Sequence, residues 1–114
     1  MACEDIGCFA LTELTHGTNA QMIQTTATYD PNTKSFWVNS MSERAMKFWI
    51  GGAAQFANVC LLWANLIVGK KNYGPHGFAI QIRDNSNHRV LPGVIIGDCG
   101  AKYGYDGIGI LFFK

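Results

Sequence analysis

Charge is what this sequence has least of. Charged side chains make up 15% of its 114 residues, against a usual share of about 25%. Nine basic residues face eight acidic ones, and no basic run exceeds two residues. That balance excludes a nucleic-acid reader driven by attraction to phosphates. Cysteine is sparse and poorly spaced for metal chemistry. Cys3, Cys8, Cys60 and Cys99 form no Cys-x-x-Cys pair, and His16, His76 and His88 are equally scattered. A tetrahedral zinc site draws on short-spaced ligand pairs, so no structural metal is expected and the cysteines read as free thiols of a reducing compartment. Long apolar runs are missing too. The most apolar stretch, Phe56 to Val68, is interrupted by Asn58 and Asn65, and a membrane span needs about 20 apolar residues. The acidic opening, Met1 to Asp5, lacks the apolar core of a secretory signal. There is no Asn-x-Ser/Thr sequon, and the final Phe112-Phe113-Lys114 is not a Ser-Lys-Leu address. Glycine-rich dinucleotide and P-loop fingerprints and the Gly-x-Ser-x-Gly elbow are absent as well.

What is present describes one compact, turn-rich domain. Leu, Ile, Val and Phe together number 29, enough apolar mass for a core. Residues 6–14 read as a short strand running into the polar loop Thr15 to Asn19. Residues 23–29 alternate, with Ile23, Thr25, Ala27 and Tyr29 on one face and Thr26 and Thr28 on the other. Asp30 to Lys34 is a turn, and Phe36 to Val38 returns as the second strand of a hairpin. Met41 to Phe48 is compatible with a helical turn or two, stopped by Trp49-Ile50-Gly51-Gly52. Periodicity leaves Phe56 to Val68 open between buried helix and long strand. Its β-branched end, and the Gly69 to Pro75 loop expected after it, favour a strand. Phe78, Ile80 and Ile82 alternate in a half-buried strand over 77–83, Asp84 to His88 is a turn, and Val94 to Ile96 is a further strand. Glycines at 93, 97, 100, 104, 107 and 109 exclude a regular helix in the remainder. Many short strands at regular spacing predict an all-β sandwich or barrel.

Two segments are candidates for binding chemistry. Thr12-Glu13-Leu14-Thr15-His16-Gly17-Thr18-Asn19 places hydroxyls at a strand end and a glycine between polar residues. Bare backbone N–H groups at such a glycine make a concavity suited to phosphate oxygens; the same residue types also make ordinary turns. In Trp49-Ile50-Gly51-Gly52 the indole is suited to stacking on a flat ring while glycine backbone touches the ring edge. The alternative is a core tryptophan ahead of a turn. A Ser/His/Asp triad is recognised by geometry, and nothing in the spacing pins one here.

The order of motifs resembles the middle β domain of acyl-CoA oxidases. Cys8 to Asn19 is followed by Thr25-Thr26-Ala27-Thr28-Tyr29-Asp30-Pro31-Asn32-Thr33, then by Lys47-Phe48-Trp49-Ile50-Gly51-Gly52. Gly74-Pro75-His76-Gly77-Phe78, Leu91-Pro92-Gly93-Val94 with Gly97-Asp98, and Lys102-Tyr103-Gly104-Tyr105 complete the series. Leu14, His16 and Asn19 resemble the oxidases more than the related acyl-CoA dehydrogenases, which carry Thr-Glu-Pro and Gly-Ser-Asp in the first loop. One departure stands out: Tyr105-Asp106-Gly107-Ile108-Gly109 lacks the Asp-Asn-Gly usual after Lys-x-Gly and looks shortened.

The resemblance implies a barrel-like pair of packed antiparallel sheets, lying between two helical regions, that receives the FAD ring and lines part of the acyl-CoA cleft. It implies an oxidase that makes trans-2-enoyl-CoA and hydrogen peroxide in peroxisomal fatty-acid β-oxidation, with a homodimeric parent protein. Thr12 matches the threonine that hydrogen-bonds the flavin, and Gly51 the glycine whose backbone contacts it. Gly17 and Thr18 match the loop near the cofactor's pyrophosphate. The family's α-proton base comes from a C-terminal helical region, so no catalytic residue is assigned among residues 1–114. Glu13 matches a family glutamate and reads as a loop hydrogen-bonding group. A non-enzymatic alternative is a β module retained for binding or assembly. The expected unit is a single β domain over 1–114, without the flanking helical domains and with no turnover by itself.

Overall fold

In a computed structural model, residues 4–104 and 108–114 are described. Cys3 and the Tyr105–Gly107 part of the shortened loop lie outside them. Eight strands run in the order β1 (Gly7–Ala10), β2 (Thr26–Asp30), β3 (Ser35–Asn39), β4 (Lys47–Ile50), β5 (Val59–Val68), β6 (Lys71–Gln81), β7 (Val94–Asp98) and β8 (Gly109–Phe113). They form a five-stranded and a three-stranded sheet. The all-β, two-sheet expectation holds, but no closed barrel forms among the described residues.

Strand direction also departs from the expectation. The small sheet, β4-β8-β7, is antiparallel throughout. The large sheet is mixed. β5 carries β6 antiparallel on one side, and β1 and β2 both parallel to it on the other. β1 pairs with residues 59–62 of β5 and β2 with residues 65–67, so the two short strands follow one another along one long one. Parallel pairing needs a long crossover. The chain supplies it by passing through the small sheet as β4 before it returns as β5.

Local signals account for most of the elements. Ile23, Thr25 and Ala27 are buried, as their alternation predicts, although pairing begins only at Thr26. Phe56–Val68 resolves into turns followed by β5, so the strand reading holds from Val59. Met41–Phe48 gives only a 3-10 turn, Glu43–Ala45, because Lys47 pairs with Leu111 of β8. The loop expected over 69–75 is instead a tight hairpin. Val68 pairs with Lys71, and Gly69, at φ +62°, supplies the left-handed residue that a two-residue turn needs. Pro75 lies within β6, where β5 is the one neighbouring strand among the described residues and the register shifts, the setting that tolerates a residue with no N–H.

The core lies between the sheets. Ala10, Ala27, Cys60, Leu62, Ala64 and Ile82 face Ile50, Leu111 and Phe113, with Ala53 and Ala57 filling the turn between β4 and β5. Ser40 ties the layers together: its N–H donates to the Phe113 carbonyl at 2.8 Å, and its hydroxyl accepts the Phe113 N–H at 3.2 Å. No helix is long and apolar enough to cross a membrane among the described residues.

Gly109 sits where β8 passes closest to the β4–β5 turn. A Cβ built there would lie 2.5 Å from the Gly97 carbonyl oxygen and 2.8 Å from the Ala54 nitrogen. Both are backbone atoms, so neither can swing aside. Gly109→Ala is expected to cost about 1–3 kcal/mol in denaturant unfolding. Gly51→Ala, whose Cβ would meet nothing within 4 Å, is expected to change stability by less than about 0.5 kcal/mol.

Candidate functional site

The first motif leaves β1 and runs beside β4. The Phe48 N–H donates to the Thr12 carbonyl at 3.0 Å and the Leu14 N–H to the Met46 carbonyl at 2.9 Å. Glu13 and His16 close a tight turn through reciprocal backbone bonds of 3.0 and 3.2 Å. The loop therefore sets Thr12 beside Phe48, one residue before Trp49. Two segments more than thirty residues apart in the chain meet here.

A buried ion pair holds them. The Lys47 Nζ lies 3.1 Å from Glu13 Oε1, with both side chains fully buried. Lys47 also donates to the Leu11 carbonyl at 3.0 Å. Glu13 accepts the Gln24 and Thr25 amides at 2.9 Å each and the Thr25 hydroxyl at 2.6 Å. Burial pushes the Glu13 carboxyl up, but the Thr25 hydroxyl, the two amides and Lys47 outweigh it and hold the carboxyl below its ordinary value. Burial pushes the Lys47 ammonium down, against the pull of Glu13. Glu13 thus sits among fixed donors, which agrees with the loop hydrogen-bonding role read from the sequence.

Beyond Lys47 the strand turns outward. Trp49 adopts φ +62° and remains half exposed. Left-handed backbone is a costly state for a bulky residue, and such strain collects at functional sites. Its ring centroid lies 6.2 Å from that of Phe48, and the Lys102 Nζ approaches it to 6.0 Å. Ile50 turns back into the core, and Gly51 follows on the surface with open space where a side chain would project.

The structure brings Thr12 to the strand that leads through Trp49 into Gly51. Thr12 is half-buried, and its hydroxyl has no partner among the described residues. Gly17 and Thr18 lie beyond the Glu13–His16 turn, exposed, with the Thr18 carbonyl accepting the Ala20 N–H at 3.0 Å. They make no hydrogen bond to β4 among the described residues. Sequence reasoning missed Lys47 as the partner of Glu13, although one lysine inside Met46-Lys47-Phe48-Trp49-Ile50 signals a buried cation awaiting an acid. It also missed Lys102 beside Trp49, two positions that nothing in their spacing connects.

Removing one partner of a buried pair strands the other's charge and costs about 3–5 kcal/mol. Lys47→Met and Glu13→Gln are each expected to fall in that range by denaturant unfolding. The double variant should cost clearly less than the two single losses added together. Because the folded Glu13 pKa is depressed, its stabilisation is fully present above the ordinary value of 4.5 and is lost as pH falls through the lower folded value. Acid unfolding curves below about pH 4.5 should therefore be flatter for Glu13→Gln than for the parent chain.

Residues 8–114 match the family model for the acyl-CoA dehydrogenase middle domain. The chain is similar to the acyl-coenzyme A oxidase of Kluyveromyces lactis, 51% identical over 102 residues that cover 90% of this chain and 14% of that protein. It is similar in structure to Arabidopsis thaliana acyl-CoA oxidase 1, with a TM-score of 0.92 and 40% identity over 97% of this chain and 18% of that one. It also resembles acyl-CoA oxidase-2 of Caenorhabditis elegans, solved with FAD, ascaroside-CoA and ATP, with a TM-score of 0.93 and 39% identity over 98% of this chain and 17% of that one. The chain thus spans under a fifth of the length of each of these proteins. It belongs to the acyl-CoA dehydrogenase middle-domain family, on the acyl-CoA oxidase side of that family.

Proposed function

We propose that this chain is the flavin-cradling module of an acyl-CoA oxidase, an enzyme that converts acyl-CoA to trans-2-enoyl-CoA and passes the electrons to O₂ as hydrogen peroxide. The observation that carries the reading is Trp49: a half-exposed indole held at φ +62° between the Thr12 segment and the open backbone of Gly51. A flat, conjugated ring fits this place. The indole offers a stacking face, the Thr12 hydroxyl is an uncommitted donor, and no side chain at Gly51 keeps a ring edge away from the backbone. FAD also accords with the Caenorhabditis elegans oxidase described above, which was solved with that cofactor.

Each residue then has a distinct task. Trp49 orients the ring, and the strained backbone sets the indole's direction before any ligand arrives. Thr12 and the Gly51 backbone present donors to the ring edge where negative charge develops, a preorganised arrangement that needs no rearrangement during reaction. Gly17 and Thr18 offer backbone N–H groups and a hydroxyl to the pyrophosphate. The bound flavin supplies hydride acceptance from the acyl β-carbon and electron delivery to O₂. Glu13 is too enclosed to reach a substrate α-proton, so proton removal falls to a carboxylate elsewhere in the longer protein. An acyl-CoA substrate, a homodimeric parent and a peroxisomal location accompany this reading through the family likeness.

Mixing the purified chain with FAD is expected to shift the flavin absorption spectrum. Trp49→Ala should weaken that binding by about 1 kcal/mol, roughly fivefold. With a long-chain acyl-CoA, peroxide should form from the longer protein and not from these residues alone. Peroxide made by this chain by itself would overturn the assignment of the base. A longer protein with intact flanking domains that neither holds flavin nor makes peroxide would favour a binding or assembly module instead.

A further inference from the structure

Cys8 and Cys60 have no part in the site described above. They are directly paired in parallel register on β1 and β5. Side chains alternate along both strands: Phe9 and Leu61 point outward, while Cys8, Ala10, Cys60 and Leu62 point into the core. The two thiols therefore lie side by side on one buried face. Neighbouring strands are about 4.7–4.9 Å apart, inside the Cα separation of about 4.4–6.8 Å that a disulfide spans. Both cysteines are free in this structure.

A buried cation stands near this pair. The Arg83 guanidinium donates to the Ala57 carbonyl at 2.5 Å and to the Ala54 carbonyl at 2.9 Å. It forms no ion pair with a carboxylate among the described residues. The hydrogen bond from Cys60 lowers the Cys8 thiol pKa, burial opposes this, and Arg83 lowers it further, leaving Cys8 below the ordinary thiol value. The same hydrogen bond, together with burial, pushes Cys60 up. Cys8 is the member that retains some solvent contact, at 7% exposure against 0% for Cys60.

We infer that Cys8 and Cys60 form an oxidisable dithiol, which a hydroperoxide converts into a disulfide bridging β1 and β5. The Cys8 thiolate attacks one peroxide oxygen, the O–O bond breaks, and the departing hydroxide takes up a proton to leave as water. Cys8 is then a sulfenic acid. The Cys60 sulfur attacks the Cys8 sulfur, the S–O bond breaks, and the second hydroxide leaves as water with the proton from Cys60. Two thiols are oxidised by two electrons in all, and one peroxide is reduced to two waters. The inference stands apart from the flavin reading, because hydrogen peroxide is added as the reagent. In a working oxidase the same oxidant is the enzyme's own product.

The test treats the full folded chain with hydrogen peroxide, alkylates the remaining thiols and maps the peptides by mass spectrometry. The expected result is loss of two of the four thiols, a Cys8–Cys60 linked peptide, and full recovery on reduction. In Cys60→Ser the link should vanish, and a sulfenic acid should become trappable by dimedone at Cys8. Near-UV circular dichroism checks that this variant folds, and the map of the parent chain decides the matter on its own if it does not. Cys8 and Cys60 remaining alkylatable under peroxide, or Cys8 linking to Cys3 or Cys99, would overturn the inference.

Discussion

The contact between Glu13 and Lys47 is the constraint on which the rest of this structure depends. It joins the loop after β1, the residues that open β2 and the first strand of the small sheet. An ion pair with no access to water survives only when every remaining lone pair and proton is matched. Here the Thr25 hydroxyl and two amides donate to the carboxylate, and the Leu11 carbonyl accepts a second proton of the ammonium. Those added bonds are directional, so they set position as well as energy.

What this clamp holds is a site under strain. Trp49 occupies a backbone conformation that a bulky residue adopts only when its surroundings impose it. Lys47 is anchored on one side of it, and Ile50 is buried against β8 on the other. With both flanks fixed, the intervening residues turn the indole outward and leave Gly51 bare. Regular alternation would put Trp49 on the same face as Lys47; the irregular register between Lys47 and Ile50 and the positive φ of Trp49 break that alternation and turn the ring outward.

Much of the fold was legible because period-two alternation depends only on neighbours in the chain. Ile23, Thr25 and Ala27, the Phe36–Val38 return and Phe78 to Ile82 all show it. The two asparagines that interrupt the apolar run of 56–68 were read only as evidence against a membrane span. In the fold, the Asn58 side chain accepts the Ile6 N–H at 2.6 Å, and the Asn65 side chain donates to the Ile23 carbonyl, which secures the ends of the two strands parallel to β5. Strand direction was not legible, since alternation looks the same in either sense. The hairpin at Gly69 replaces the loop expected over 69–75 because its polar, proline-containing residues belong to a strand with one neighbour among the described residues, where such residues are admissible.

The sequence by itself determined the all-β class, the family and the identity of the motifs, because those rest on local pattern and on the order of residue types. Only the tertiary structure decided that Glu13 answers Lys47, that Thr12 lies against the approach to Trp49, and that Cys8 stands beside Cys60. Each of these is a pairing across thirty or more residues. Distance along a chain carries no information about such a pairing until strands align within a sheet and the sheets pack on each other.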